Sequence, residues 1–220
     1  RSTLVASKVP AGRLTFSLLS ALDQHRPEYL FHLAAQSYPK TSFDIPIETL
    51  TTNIIGTANI LEVCKTLAHK DKYYPIIHIC SSSEVYGKVK DNAMITEDSQ
   101  LNASSPYSLS KIGTDFLGRF YADAYSLKTF ITRMGTHSGP RRSDVFFEST
   151  VAKQIALIEN ELKEPILHLG NLNSVRTYQD CRDAVRAYYL LALEMDKGNI
   201  KNGEYFNIAG NMSDISSLPS

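Results

Sequence analysis

The sequence predicts an α/β fold, a doubly wound parallel sheet with a smaller mixed α/β lobe. Three observations predict it. Short apolar runs at 29–33, 76–80 and 129–134 are continuous rather than alternating, as in strands buried on both faces. Longer segments with helical spacing of apolar residues separate them. Strands alternating with long helices imply βαβ units and hence parallel pairing.

Taken in order, residues 14–25 carry apolar side chains at Leu14, Leu18, Leu19 and Leu22, one face of a helix. The run 29–33 is the first strand and ends in "HLAAQS". Residues 45–68, with Ile54, Ile55, Ala58, Ile60 and Leu61, predict the next helix. The run 76–80 is the second strand and passes directly into "SSSEVYG". Residues 106–127, with Ile112, Phe116, Leu117, Phe120 and Tyr121, predict a third helix, and 129–134 a third strand. Beyond Gly139-Pro140 the expectations are a helix over 146–159, a short strand over 166–169, a turn at Gly170-Asn171, a helix over 180–194 and a strand over 204–208. Residues 1–134 are therefore expected to form the sheet domain, and 135–220 mainly a second lobe with segments returning to the sheet.

With 220 residues and 43% hydrophobic content, the chain has enough apolar material for a sizeable core. Lys and Arg total 23, as do Asp and Glu, so there is no basic footprint for nucleic acid and no acidic tail. Cys64, Cys80 and Cys181 are too far apart for a metal-binding cluster or a disulfide framework, which makes a reducing cytoplasm the default compartment. No apolar stretch approaches a membrane span, and no metal site is expected. The expected partners are small molecules or further copies of the chain.

The chemistry-bearing residues lie in "SSSEVYG" and "SPYSLSK". Tyr107 and Lys111 are spaced i and i+4, so on a helix they share a face about 6 Å apart along the axis. A lysine so placed favours the phenolate and suits the tyrosine to acid/base work. An amphipathic helix that merely exposes both side chains has the same pattern. Ser81-Ser82-Ser83 follow a buried strand at the edge where open α/β sheets bind ligands, although serines there also simply end strands. Glu84 reads either as a solvated turn residue or as a base.

Together, "HLAAQS" at 32–37, "SSSEVYG" at 81–87, "SPYSLSK" at 105–111, "GPRR" at 139–142 and "GNLNSVRTYQDCRDAVRAYYLLAL" at 170–193 resemble the extended short-chain dehydrogenase/reductases, the NAD-dependent epimerase/dehydratase family with a Rossmann-like sheet. Within it the chain is most similar to the GDP-mannose 4,6-dehydratase branch, with the GDP-4-keto-6-deoxymannose reductases next. The resemblance implies the catalytic residues Ser82, Glu84, Tyr107 and Lys111. Tyr107 would take the C4 hydroxyl proton as hydride passes to the nicotinamide, and Glu84 would remove the C5 proton and assist loss of the C6 hydroxyl. Cofactor contacts would come from Ala34, Ala35, Tyr107 and Lys111, and from Arg141 and Arg142 reaching a neighbouring subunit's cofactor. Substrate would meet Gln36, Ser37, Thr136, His137, Asn171, Val175 and Arg176, with Arg176 gripping a diphosphate. The implied cofactor is NADP, or alternatively NAD. The implied substrate is a nucleotide sugar, GDP-linked, and the assembly a homodimer or homotetramer.

The departures from the family are specific. There is no G-x-G-x-x-G, so the opening strand, glycine-rich turn and helix are expected to be missing, as from part of a longer enzyme. Arg13 stands where relatives have an adenine-recognising Asp, and Thr136 where the dehydratases have Asn. Ser83 occupies the place of a second acid in some relatives. The alternatives are a 4-keto reductase or other nucleotide-sugar epimerase, and a non-catalytic sugar-nucleotide-binding protein.

Overall fold

The computed structural model describes residues 11–89, 94–170, 172 and 177–210, with side chains from residue 15 onward. It divides into two compact units, Arg1–Met134 with Arg186–Ile208, and Gly135–Val185 with Ala209–Ser220.

The first unit is built on a four-stranded sheet of β1 (Tyr29–His32), β2 (Ile76–Cys80), β3 (Lys128–Met134) and β6 (Glu204–Ile208), in that order. Every neighbouring pair is parallel, with Tyr29 opposite Ile76, Ile79 opposite Ile131 and Thr132 opposite Phe206. Alternate strand residues enter two different cores, which explains why the runs read as continuously apolar. Leu30, Ile77, Ile79 and Ile131 pack with Leu18, Leu22, Leu61, Leu67 and Leu127 from the helical side. Tyr29, Ile76 and Phe130 pack on the other face with Ala192 and Met195. Helices on both faces make the sheet doubly wound, as the periodicity predicted.

Among the described residues the α-helices are α1 (Ala11–His25), α2 (Pro39–Asp44), α3 (Pro46–Leu50), α4 (Gly56–Asp71), α5 (Pro106–Tyr125), α6 (Phe147–Glu159) and α7 (Cys181–Asp196). The helix expected over 45–68 is divided. It starts at Pro46, whose missing N–H suits a first turn, and a π-helical turn at Thr51–Ile55 joins α3 to α4. The short helix α2 was not anticipated. Helix α5 has firm ends: Ser105, just before Pro106, and Ser108, in the first turn, form a reciprocal cap, and Ser126 closes the other end in the left-handed region at φ 57°.

In the second unit, β4 (His137–Ser138) pairs in parallel with β5 (Gln179–Asp180). The strand expected over 166–169 does not form. Instead of a neighbouring strand, the side chain of Gln154 on α6 accepts from the His168 N–H at 2.9 Å and donates to its carbonyl at 3.0 Å. A single amide side chain thus satisfies the backbone at that point, and Ile166, Leu167 and Leu169 remain exposed.

Candidate active site

The predicted catalytic residues of the first unit lie at the C-terminal end of β2 and the start of α5. Past Cys80 the chain leaves the sheet and winds into a 3-10 turn at Ser83–Tyr86. Ser82 caps that turn, its Oγ accepting from the Glu84 N–H at 3.2 Å. The turn is pinned from outside by the Asn102 N–H, which donates to the Val85 carbonyl at 2.8 Å. Gly87 ends it at φ 62°, where a Cβ would press into the carbonyl oxygen of Asn102. Ser82 is buried and Glu84 half-buried.

Helix α5 is fastened to this strand end twice through one residue. The Lys111 ammonium donates to the Cys80 carbonyl at 2.7 Å, and Ser81 Oγ donates to the Lys111 carbonyl at 3.2 Å. Tyr107, one turn earlier, is 8% exposed, with its ring centroid 5.9 Å from Lys111 Nζ. The two therefore share a buried face of α5, which decides against a pair displayed to solvent. Burial pushes the Lys111 pKa below its ordinary value. Its charge in turn helps hold His32 down, after burial, to about 4.

The loop after β1 joins the same place through Asn53, in the π-helical turn. Asn53 Oδ1 accepts from the Gln36 N–H at 2.8 Å, while Nδ2 donates to the Gln36 carbonyl at 3.0 Å and to Ser110 Oγ at 2.8 Å. Ser110 Oγ donates to the Tyr107 carbonyl at 2.7 Å, and the Tyr107 N–H donates to Ser42 Oγ at 3.1 Å. Gln36 is buried and its Oε1 has no partner among the described residues, Ala34 and Ala35 are half-buried and Ser37 is exposed.

Thr136, His137, Arg141 and Arg142 belong to the second unit. His137 lies in β4, its Nδ1 3.1 Å from the Gly135 carbonyl oxygen. Arg142 is engaged locally: it donates to the His137 carbonyl at 2.7 Å, pairs with Glu148 at 2.6 Å and lies over the Phe146 ring at 3.8 Å. Arg141 is exposed, at φ 71°. Asn171, Val175 and Arg176 lie outside the described residues.

Sequence reasoning did not single out Asn53, Ser42 or Ser110, nor Asp115 and Arg133. The last two left a readable sign. Asp115 continues the face of Tyr107 and Lys111 at i+4, and Arg133 is a charge inside an apolar strand. Among the described residues, no group of three or more His, Cys, Asp or Glu is placed to hold a metal ion, and no helix is long and apolar enough to cross a membrane.

The family described as GDP-mannose 4,6 dehydratase matches residues 15–217. The GDP-6-deoxy-D-mannose reductase of Pseudomonas aeruginosa is 29% identical over 177 residues, covering 80% of this chain and 57% of that protein. The GDP-mannose 4,6-dehydratase of Yersinia enterocolitica is 29% identical over 185 residues, covering 83% and 48%. The chain thus spans about half the length of these curated relatives. Among solved structures, RMD from Pseudomonas aeruginosa complexed with NADPH superposes with a TM-score of 0.80 at 26% identity, covering 94% of this chain and 67% of that one. The dTDP-glucose 4,6-dehydratase DesIV from Streptomyces venezuelae with NAD and TYD bound gives 0.71 at 26% identity, covering 90% and 55%. The match across residues 15–217, in a chain built on a parallel sheet, places the chain in the GDP-mannose 4,6-dehydratase family.

Proposed function

We propose that this chain carries the catalytic half of a nucleotide-sugar 4,6-dehydratase acting on GDP-mannose or a related GDP-sugar. The observation that carries the reading is the buried Lys111 ammonium, held at Cys80 one turn from Tyr107 and directly before the Ser82–Glu84 segment. Three functions meet on one strand end. Ser82 orients the C4 hydroxyl, and Tyr107, with Lys111 stabilising its phenolate, accepts the C4 hydroxyl proton. Glu84 takes the C5 proton, which the adjacent carbonyl has made acidic, and the C6 hydroxyl departs as water.

A nicotinamide cofactor, NADP in the first reading and NAD in the second, supplies the hydride acceptor at C4 and donor at C6, so it ends as it began. The residues fit such a group: the Lys111 ammonium, with three donors to give, meets the Cys80 carbonyl with one of them, and among the described residues the buried Gln36 Oε1 lacks a donor. Ala34 and Ala35 leave room beside it, and Arg141 is the exposed member of its pair. Thr136, His137, Asn171, Val175 and Arg176, with Gln36 and Ser37, are assigned to substrate on resemblance. The free thiols of Cys64, Cys80 and Cys181 fit a reducing cytoplasm.

A homodimer formed through α5 and its neighbours completes the reading. Leu109, Phe116 and Phe120 lie exposed on α5, as do Ile47 on α3 and Ile55 in the π-helical turn, two segments packed against it. Together they offer a face of about 30 Å by 20 Å, the scale of the roughly 800 Å² per partner that a stable interface buries. A second copy matches an apolar stripe with its own like.

The test is incubation of the full-length protein with GDP-mannose and catalytic NADP+. A product lighter by one water, without net cofactor consumption, supports the dehydratase. The similarity to the Pseudomonas reductase favours a second reading, a 4-keto reductase. That reading predicts consumption of NADPH by the 4-keto sugar and no water loss from GDP-mannose. Binding without either reaction supports a non-catalytic protein.

A further inference from the structure

One buried guanidinium connects the Glu84 turn to the helix that bears Tyr107 and Lys111. Arg133 lies in β3, its side chain 2% exposed. One edge of its fork meets the Asp115 carboxylate, Nε at 2.8 Å and Nη2 at 3.3 Å. On the other edge, Nη1 donates to the Tyr86 hydroxyl at 2.8 Å and to the Glu97 carbonyl at 2.7 Å. Asp115 is fully buried on α5, one turn past Lys111 and two past Tyr107, and also pairs with Arg119 at 2.9 Å. Tyr86 is the last residue of the turn that Ser82 caps and Glu84 occupies. Its hydroxyl donates onward to Asn207 Oδ1 on β6 at 2.7 Å, and the Asn207 N–H donates to Glu97 Oε1 at 2.8 Å.

A buried ion pair is a poor source of stability, because desolvation offsets most of its attraction and apolar residues of the same volume often serve as well. What this one supplies is geometry. A planar fork with fixed donor directions sets the separation of the groups on its two edges, which a lysine cannot do. All three guanidinium nitrogens of Arg133 are engaged, which favours one arrangement of the unit.

We propose that Arg133 is a positioning residue: through Tyr86 on one edge and Asp115 on the other, it fixes the Glu84 turn relative to Tyr107 and Lys111. It thereby sets the relation between proton removal at C5 and proton removal at C4. The inference rests on the dehydratase reading for its catalytic consequence, and on the hydrogen bonds alone for its mechanical one.

Two variants of the full-length protein test it. Tyr86→Phe deletes one hydroxyl and keeps the buried ring, and Asp115→Asn weakens the far edge of the fork without touching the turn. In Tyr86→Phe, exchange of the substrate C5 hydrogen with deuterated solvent is expected to fall about tenfold or more, the scale on which small misplacement of a reacting group acts. C4 oxidation in a single turnover should keep its rate. In both variants the amides of Val85 and Gly87, which close the turn onto Ser82 and Glu84, should exchange faster with solvent. An equal fall in both chemical steps, or unchanged amide exchange in Asp115→Asn, overturns the proposal. If the unmutated protein shows no C5 exchange, the dehydratase reading fails by itself, and amide exchange still decides the mechanical link.

Discussion

The Lys111 ammonium lies 2.7 Å from the carbonyl oxygen of Cys80, the last residue of the strand that delivers Ser82. The bond holds a buried charge at the sheet's edge and aims it past the Tyr107 ring. Lys111→Met should lower kcat by about 10²–10⁴-fold, the usual contribution of acid/base assistance. Stability should change little, because loss of the buried charge offsets the unpaired carbonyl. Steady-state kinetics beside thermal unfolding checks both; an active variant would remove Lys111 from the site.

Asn53 makes three buried hydrogen bonds that join the loop after β1 to α5. Asn53→Ala strands the Gln36 N–H and carbonyl at once and removes the donor to Ser110 Oγ, which keeps its own bond to the Tyr107 carbonyl. A loss of roughly 2–4 kcal/mol is expected in urea unfolding, because unpaired buried groups bear the full desolvation penalty. A loss below about 1 kcal/mol would mean that water replaces the side chain.

Gly87 and Gly56 form a paired test of the turn. Alanine at Gly87 meets the Asn102 carbonyl and an unfavourable φ of 62°, whereas at Gly56, in helical conformation, nothing lies within 4 Å. Gly87→Ala should lower Tm by several degrees. Gly56→Ala should leave it unchanged or raise it, by up to about 1 kcal/mol of stability. Differential scanning calorimetry separates the two.

Two buried histidines predict acid lability. Burial, followed by nearby charges, lowers His32 to about 4 and His78 to about 3 from the ordinary 6.5. Both take up protons more readily when unfolded, so stability is full above pH 6.5 and declines as pH falls towards these values, by up to about 1.4 kcal/mol per pH unit for each. Urea midpoints at pH 7 and pH 5 measure the decline. His78→Phe, which keeps a ring among Phe31, Phe130 and Tyr188, should halve its slope.

The exposed apolar stripe on α5 predicts self-association. Phe116→Asp places a charge on a side chain that is 53% exposed, so the monomer should fold while the dimer dissociates. Sedimentation velocity of both proteins reads this directly. A dimer that survives the change must use another face.

The sequence by itself determined the sheet strands of the first unit, the long helices and the helical register that sets Lys111 one turn after Tyr107. These depend on spacing within a few residues: apolar runs buried on both faces, 3.6-residue periodicity, and the Ser105 cap with Pro106. Tertiary structure decided what no local pattern contains. Residues 166–169 have a strand's composition, yet a side chain from α6, rather than a neighbouring strand, meets the His168 backbone. Asn53 belongs to the site because bonds reach Gln36 and Ser110, 17 and 57 residues away. Arg133 looks like a misplaced charge in a strand until Asp115 and Tyr86, 18 and 47 residues distant, close around it. Pairings across such separations arise only when strands and helices pack, and they give the motif side chains their burial and relative positions.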